Sequence, residues 1–225
     1  MIIIDILYNV FIYPIELFIK LVFETAYIVL GSYGFSLVMV SVVISIILLP
    51  IYHLVEKLQK EERSKRQVMQ PQLDDLKDIY KGYELYLYTK AVYREHNYHP
   101  LSALQSSLGL LIQLPFLIAA YYFISNYTPL QGESFNIISD LSKPDQLLNI
   151  AGFGINVLPF VMSAFNIAGG YLYTRGLQNQ GSLQIYIVAL IFLVLLYQAP
   201  SGVLIYWTCS NIFSFIKYLI LSFRS

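Results

Sequence analysis

From Gly176 to Ile216 the chain runs 41 residues without an Asp, Glu, Lys or Arg. Gly34–Ile51, Leu101–Ser125 and Gln146–Thr174 are also free of charge and largely apolar. A helix needs about 20 predominantly apolar residues to cross the roughly 30 Å hydrocarbon layer of a bilayer. Runs of this length exceed what the core of a soluble domain uses. The expectation is an all-α polytopic membrane protein with one integral membrane domain.

The order of segments follows from breakers and charge. Residues 1–32 are read as an outer-side interfacial helix. Within them, 6–30 are apolar but carry Glu16, Lys20 and Glu24, four apart on one helical face, with Pro14 suited to a first turn. Two readings stand: an amphipathic helix in the interface, or a sixth span with a polar stripe. Three charges inside a span are expensive, which favours the first. Residues 33–51 form the first span, and 52–99 a cytoplasmic hairpin of two antiparallel helices joined near Pro71, where proline interrupts a helix-forming sequence. Residues 100–225 hold the four remaining spans, at 101–125, 147–173, 182–198 and 203–221. Pro129, Gly132 and Pro144 mark a polar loop over 126–146, and Ala199-Pro200-Ser201-Gly202 divides the long uncharged run in two.

The net charge is zero, yet the 14 Lys and Arg are unevenly placed. Nine of them fall between His53 and Pro100: Lys57, Lys60, Arg63, Lys65, Arg66, Lys77, Lys81, Lys90 and Arg94. Acidic residues interleave with them, so the segment is a mixed-charge helical block and not a nucleic-acid patch; no direct nucleic-acid recognition is expected. With that block in the cytoplasm, Arg175, Lys217 and Arg224 join the same side, and only Lys143 lies in an outer loop. Positive charge on the cytoplasmic side puts the N-terminus outside and the C-terminus inside. No basic region opens the chain as in a cleavable signal peptide.

Several function classes lose support. No span centre carries an ionisable residue of the kind that ion-coupled transporters and proton relays use. The sole cysteine, Cys209, has no partner for an intrachain disulfide. His96 and His99 are three apart, but no cysteine or third histidine joins them, and no metal or cofactor is expected. Nothing resembles a nucleophile–base pair or a phosphate loop, so the chain is not read as an enzyme.

What remains in the spans is neutral polarity in stripes. Ser41 and Ser45 are one turn apart, on a face that continues to His53. Ser102, Ser106 and Gln113 share a face of the second span. Asn156, Ser163 and Asn166 share one of the third, and Trp207, Ser210, Asn211 and Ser214 one of the fifth. Such residues can simply join helices, at about 1 kcal/mol per pair. Alternatively, the stripes converge on one hydrated cavity that lowers the cost of bringing polar peptide into lipid.

Taken in order, several short motifs resemble the YidC/Oxa-type membrane protein insertase family. Tyr8–Pro14 resembles the start of its interfacial helix, and Tyr33-Gly34-Phe35-Ser36 the entry to a first core span ending at Pro50. Gln70-Pro71-Gln72-Leu73 resembles the hairpin turn, and Tyr93-Arg94-Glu95-His96-Asn97-Tyr98-His99-Pro100-Leu101 the hairpin exit. Leu110-Leu111-Ile112-Gln113-Leu114-Pro115-Phe116 is similar to a family hallmark. So is Pro200-Ser201-Gly202-Val203-Leu204-Ile205-Tyr206-Trp207, with Ser210-Asn211 after it.

The resemblance implies five spans around a hydrophilic groove open to cytoplasm and lipid, in the inner membrane of a prokaryote. It implies insertion and folding of newly made membrane proteins without nucleotide hydrolysis. Nascent membrane proteins and lipids are the expected partners, with a ribosome or translocon nearby. The groove and client-contact residues are then Ser41, Ser45, Ser106, Gln113, Ser163, Asn166, Tyr206, Trp207, Ser210 and Asn211. In the hairpin they are His53, Lys57, Pro71, Leu73 and Leu76. Bacterial members typically carry an arginine five residues before the first-span proline, and here that position is Ser45. A neutral groove fits either an insertase for less acidic clients or a specialised relative serving one partner. The runner-up is an accessory subunit held stably by a polytopic enzyme or exporter.

Overall fold

Two prolines lie inside the longest helix of the computed structural model, and the chain turns at neither. The structure describes residues 5–6, 8–99, 108–150, 152–174 and 182–222. A π-helical turn, Tyr8–Ile12, leads into α1, Tyr13–Leu30, with Pro14 in its first turn. Helix α1 closes at Gly31, whose φ of 62° lets its amide reach the carbonyl of Tyr27 at 2.8 Å. Then follow α2, Tyr33–Ile79, α3, Gly82–Glu95, and α4, Leu108–Asn126. A short antiparallel pair, β1 (Leu148–Ile150) and β2 (Phe153–Ile155), precedes α5, Leu158–Thr174. Helices α6, Ser182–Leu196, and α7, Ser201–Ser222, complete the order. Among the described residues, α2 and α7 contain stretches long and apolar enough to cross a membrane. Shorter apolar stretches lie at Ile112–Asn126, Leu158–Leu172 and Ile185–Leu196.

Two of the expected boundaries move. The hairpin does not turn near Pro71: α2 runs through both Pro50 and Pro71 to Ile79, and the reversal falls at Tyr80–Gly82. A proline inside a helix removes one backbone hydrogen bond. The flanking Lys, Glu, Arg, Gln and Leu residues are strong helix formers and carry the helix past it. Gly82, with a φ of +61°, supplies the left-handed conformation that the reversal needs. The third apolar helix also starts later than 147. Residues 148–150 pair with 153–155 as β1 and β2, and the helix begins at Leu158.

The chain forms two compact units, residues 1–47 with 115–225, and residues 48–114. In the first, α7 is the most buried helix: every residue from Ser201 to Thr208 is buried, as are Ser210 and Asn211. Glycines let helices come close to one another. A Cβ on Gly169 would lie 3.9 Å from the Phe215 Cα of α7, and one on Gly170 only 2.9 Å from Ile185 Cγ2 of α6. Phe23 of α1 is buried, with its ring 5.2 Å from that of Phe123 and 5.4 Å from that of Tyr127.

The 128–157 segment closes one end of this unit through polar contacts. The start of α7 is capped by backbone: Ser201 donates its amide to the Lys143 carbonyl at 2.8 Å, and Gly202 donates to that of Leu141 at 2.9 Å. A Cβ on Gly202 would meet Leu37, Ile124 and the Leu141 oxygen at 3.1–3.2 Å, which explains a glycine at that point. The buried Asp145 carboxylate accepts the Val157 amide at 2.6 Å and the Leu158 amide at 3.3 Å, holding the start of α5. Asn156 therefore does not sit on a helical stripe. It accepts the Gln146 amide at 3.1 Å and donates to the Tyr197 carbonyl at 2.7 Å, tying β1 and β2 to the end of α6.

In the second unit, Met69, Leu73 and Tyr98 form a buried cluster with Val92 and Tyr93 against it, so the exit after α3 folds back on α2. Asn97, at a φ of 47°, makes the turn, and the Tyr98 amide returns to the Tyr93 carbonyl at 2.8 Å.

Candidate functional site

Three helices of the first unit bring neutral polar side chains into a common interior. Ser41 of α2 and Ser210 of α7 are both buried, with hydroxyl oxygens 3.1 Å apart. One turn along α2, Ser45 is buried too. One residue beyond Ser210, Asn211 donates its side-chain amide to the Met162 carbonyl of α5 at 3.4 Å. Ser163, next to Met162, is buried. The Ser41–Ser210 and Asn211–Met162 contacts thus join α2 and α5 to α7 along a seam, with no charged side chain among the residues that form it.

The seam is only partly satisfied. Among the described residues, Ser163 Oγ, Trp207 Nε1 and Thr208 Oγ1 are buried without a hydrogen-bond partner. A buried donor left unpaired costs on the order of 1–3 kcal/mol, so these groups are either paid for by packing or filled by something polar from outside. Trp207 packs its ring 5.4 Å from that of Phe192 on α6. Tyr206 is buried beside it in sequence. Asn166 is half-buried on α5. Thr208 lies about 100° around the helix from Trp207, off the stripe of Trp207, Ser210, Asn211 and Ser214, so only its burial reveals it.

The remaining expected residues fall elsewhere. Ser102 and Ser106 lie outside the described residues. Gln113 is half-buried and belongs to the second unit. In that unit His53, Lys57 and Pro71 are exposed, Leu73 is buried in the hairpin cluster and Leu76 is half-buried. Leu73 is thus spent on holding the hairpin together. The tyrosines of this segment divide in the same way. Tyr93 packs on Tyr98 with ring centroids 5.2 Å apart, and Tyr80 on Tyr88 at 4.3 Å, whereas Tyr83 and Tyr86 are well exposed.

The hairpin also contains a buried carboxylate that the sequence reading did not single out. Tyr98 donates its hydroxyl to Glu62 Oε1 at 3.1 Å, and Arg66 Nε lies 3.7 Å from the same oxygen. Burial, with the Glu62 carboxylate beside it, pushes the Tyr98 phenol above its usual range. Glu62 Oε2 is buried without a partner among the described residues. In sequence, Glu62 is one acidic residue in a mixed-charge run and carries no local sign of burial. No group of His, Cys, Asp and Glu suited to a metal ion occurs among the described residues.

Comparison with known proteins gives a consistent set of similarities. The sequence profile of the 60Kd inner membrane protein family matches residues 25–224. The membrane protein insertase YidC of Treponema denticola is 34% identical over 228 residues, covering 94% of this chain and 38% of that protein. The membrane protein insertase MisCB of Bacillus subtilis is 27% identical, over 93% of this chain and 78% of that protein. A crystal structure of an active YidC insertase, with its first transmembrane domain resolved, superposes with a TM-score of 0.55 at 23% identity. It covers 95% of this chain and 46% of that one, and shows the same fold. The chain therefore spans well under half the length of the Treponema relative.

Proposed function

Because this chain belongs to the 60Kd inner membrane protein family, we propose that it is a membrane protein insertase and chaperone, working without nucleotide hydrolysis. The apolar part of α2 and helices α4, α5, α6 and α7 are its five spans. The N-terminus lies outside, the C-terminus inside, and α1 lies in the interface. Residues 52–99 stand on the cytoplasmic side of a prokaryotic inner membrane, where a ribosome or translocon delivers clients.

One observation carries the reading: the neutral, partly unsatisfied polar seam shared by α2, α5 and α7. A client's polar flank enters lipid only at several kcal/mol per unpaired group. Ser41, Ser45, Ser163, Asn166, Ser210 and Asn211, with Tyr206 and Trp207, offer that flank hydrogen-bonding groups; Ser106 and Gln113 are proposed as client contacts from their place in the sequence alone. The client's apolar helix meanwhile partitions into the surrounding lipid. A seam of hydroxyls and amides suits clients with neutral flanks, since Ser45 stands where a charge would favour acidic ones.

Rescue of an insertase-depleted cell by the full chain is the direct test, with photo-crosslinkers placed at Ser45, Gln113 and Asn211. Insertase activity predicts growth rescue and crosslinks to many nascent chains. A single abundant partner with no nascent chains would instead identify a stable accessory subunit.

A further inference from the structure

The pair β1 and β2 has two unlike faces. Its register sets Leu148 opposite Ile155, Asn149 opposite Gly154, and Ile150 opposite Phe153. Side chains alternate along a strand, and directly opposed residues share a face. One face is therefore wholly apolar, made of Leu148, Ile150, Phe153 and Ile155. The other carries only Asn149 and Gly154. Most of the apolar face is turned outward: Phe153 is 78% exposed, Ile150 59% and Leu148 52%, while Ile155 is half-buried. A two-stranded hairpin in water is marginal at best unless its apolar face is covered. The turn is held by a glycine at φ +86° and by the Gly152 amide, which donates to Asn149 Oδ1 at 3.1 Å, so the apolar side chains are presented by a defined scaffold.

We propose that this face lies on the outer-leaflet lipid, at the boundary between headgroups and acyl chains, and anchors the outer end of α5. The proposal rests on the five-span orientation given above. Two features choose lipid as the occupant. First, exposed apolar side chains follow the hairpin along the chain, as they do on a span that faces lipid. The hairpin runs straight into α5, whose first turns expose Phe160 and Val161, and α6 exposes Ile187, Leu190, Ile191, Val194 and Leu195. Second, charge stops where the hairpin begins: Glu133, Asp140, Lys143 and Asp145 precede it, and none follows from Gln146 to Thr174. The outer edges of a two-stranded pair leave backbone groups unpaired, which lipid tails do not tolerate. That limits the depth to the interfacial layer, where Phe153 and the Phe160–Tyr197 ring pair, 6.2 Å apart, are at home.

The test uses the full chain with Cys209→Ala, reconstituted in phosphatidylethanolamine–phosphatidylglycerol vesicles. A nitroxide is attached at Leu148→Cys, Asn149→Cys, Phe153→Cys or, as an aqueous reference, Glu133→Cys. Power saturation then compares oxygen with a water-soluble nickel chelate. Lipid contact predicts oxygen access exceeding nickel access at 148 and 153, with the order reversed at 149 and 133. Nickel access at 148 and 153 equal to that at 133 overturns the proposal. Loss of access to both reagents there also overturns it, because a second copy or a client then covers the face. Labelling of Asn149→Cys with an impermeant maleimide in intact cells reports the orientation separately: reaction only in inverted vesicles would sink the outside assignment while leaving the depth result standing.

Discussion

The hydroxyls of Ser41 and Ser210 lie 3.1 Å apart across the contact of α2 and α7, in a position closed to solvent. Each is the other's partner. Replacing either with alanine leaves one buried hydroxyl unpaired, and replacing both leaves none. A double-mutant cycle in detergent is expected to show coupling of about 0.6 kcal/mol, the average for such bonds between membrane helices. The double variant should be no less stable than the worse single one. Additive losses would mean that the two hydroxyls have separate partners.

Ser45 tests the neutrality of the seam. A charged side chain at the centre of a lipid-facing helix costs about 2.5–3.5 kcal/mol on insertion scales. If the seam is hydrated when it works, Ser45→Arg is accommodated and accumulates to near the normal level. Its crosslinks should then shift towards clients with acidic flanks. An unchanged client range would remove the argument for a neutral seam selecting neutral clients.

Gly34 and Phe135 make a tighter claim on stability. A Cβ on Gly34 would lie 2.0 Å from the Phe135 ring, which also packs edge-on to Phe35 at 5.2 Å. Gly34→Ala forces that ring aside, at a cost of about 1–3 kcal/mol typical of overpacking. Thermal unfolding in detergent should show the loss, and Phe135→Leu in the same chain should recover part of it. Equal damage with and without the second change would point to backbone strain at residue 34.

Much of this architecture was readable from residue order because lipid leaves few options. Uncharged runs mark α4, α6 and α7, and Pro200-Ser201-Gly202 marks the break between the last two, since the glycine has no room for a Cβ and the serine amide needs an acceptor. Of the serine and asparagine stripes, Ser41, Ser45, Ser163, Ser210 and Asn211 are buried, whereas Asn166 and Ser214 are half-buried and Asn156 lies before α5. Other features depend on contacts far along the chain. Pro71 looks like a turn because proline usually is one, and strong helix formers on both sides override it. Residues 148–155 are as apolar as a helix, and their pairing depends on Asn156 and Asp145 stopping α5 at Leu158. Glu62 is buried because Tyr98, 36 residues later, returns to it.

That return contact makes Tyr98 the fastening of the hairpin exit. Tyr98→Phe keeps the ring against Met69 and Leu73 but removes the hydroxyl that Glu62 Oε1 accepts. A buried carboxylate that loses a donor costs about 1–3 kcal/mol. Hydrogen exchange at residues 92–98 should accelerate, while exchange in α7 stays unchanged. No change at 92–98 would show that packing alone holds the exit.

Asp140 gives the protein an acid-sensitive loop. Burial acts to raise its pKa, but the Ser142 hydroxyl, the Lys143 ammonium and the Ser142 and Gly132 amides outweigh it and hold the carboxyl at about 2, below its ordinary 3.8. A carboxylate with a depressed folded pKa stabilises the fold fully above the unfolded value and loses that contribution as pH falls through the folded one. The 128–145 loop should therefore keep its protease resistance at pH 5, begin to lose it below about pH 4 and lose this contribution by about pH 2. Because the same loop supplies the Leu141 and Lys143 carbonyls that cap α7, its loosening should expose the start of that helix to exchange. Asp140→Asn should be less resistant at pH 5 and show a flatter dependence between pH 4 and 2. An equally steep acid response in that variant would assign the sensitivity to another carboxylate, with Asp145 at the start of α5 the next to replace.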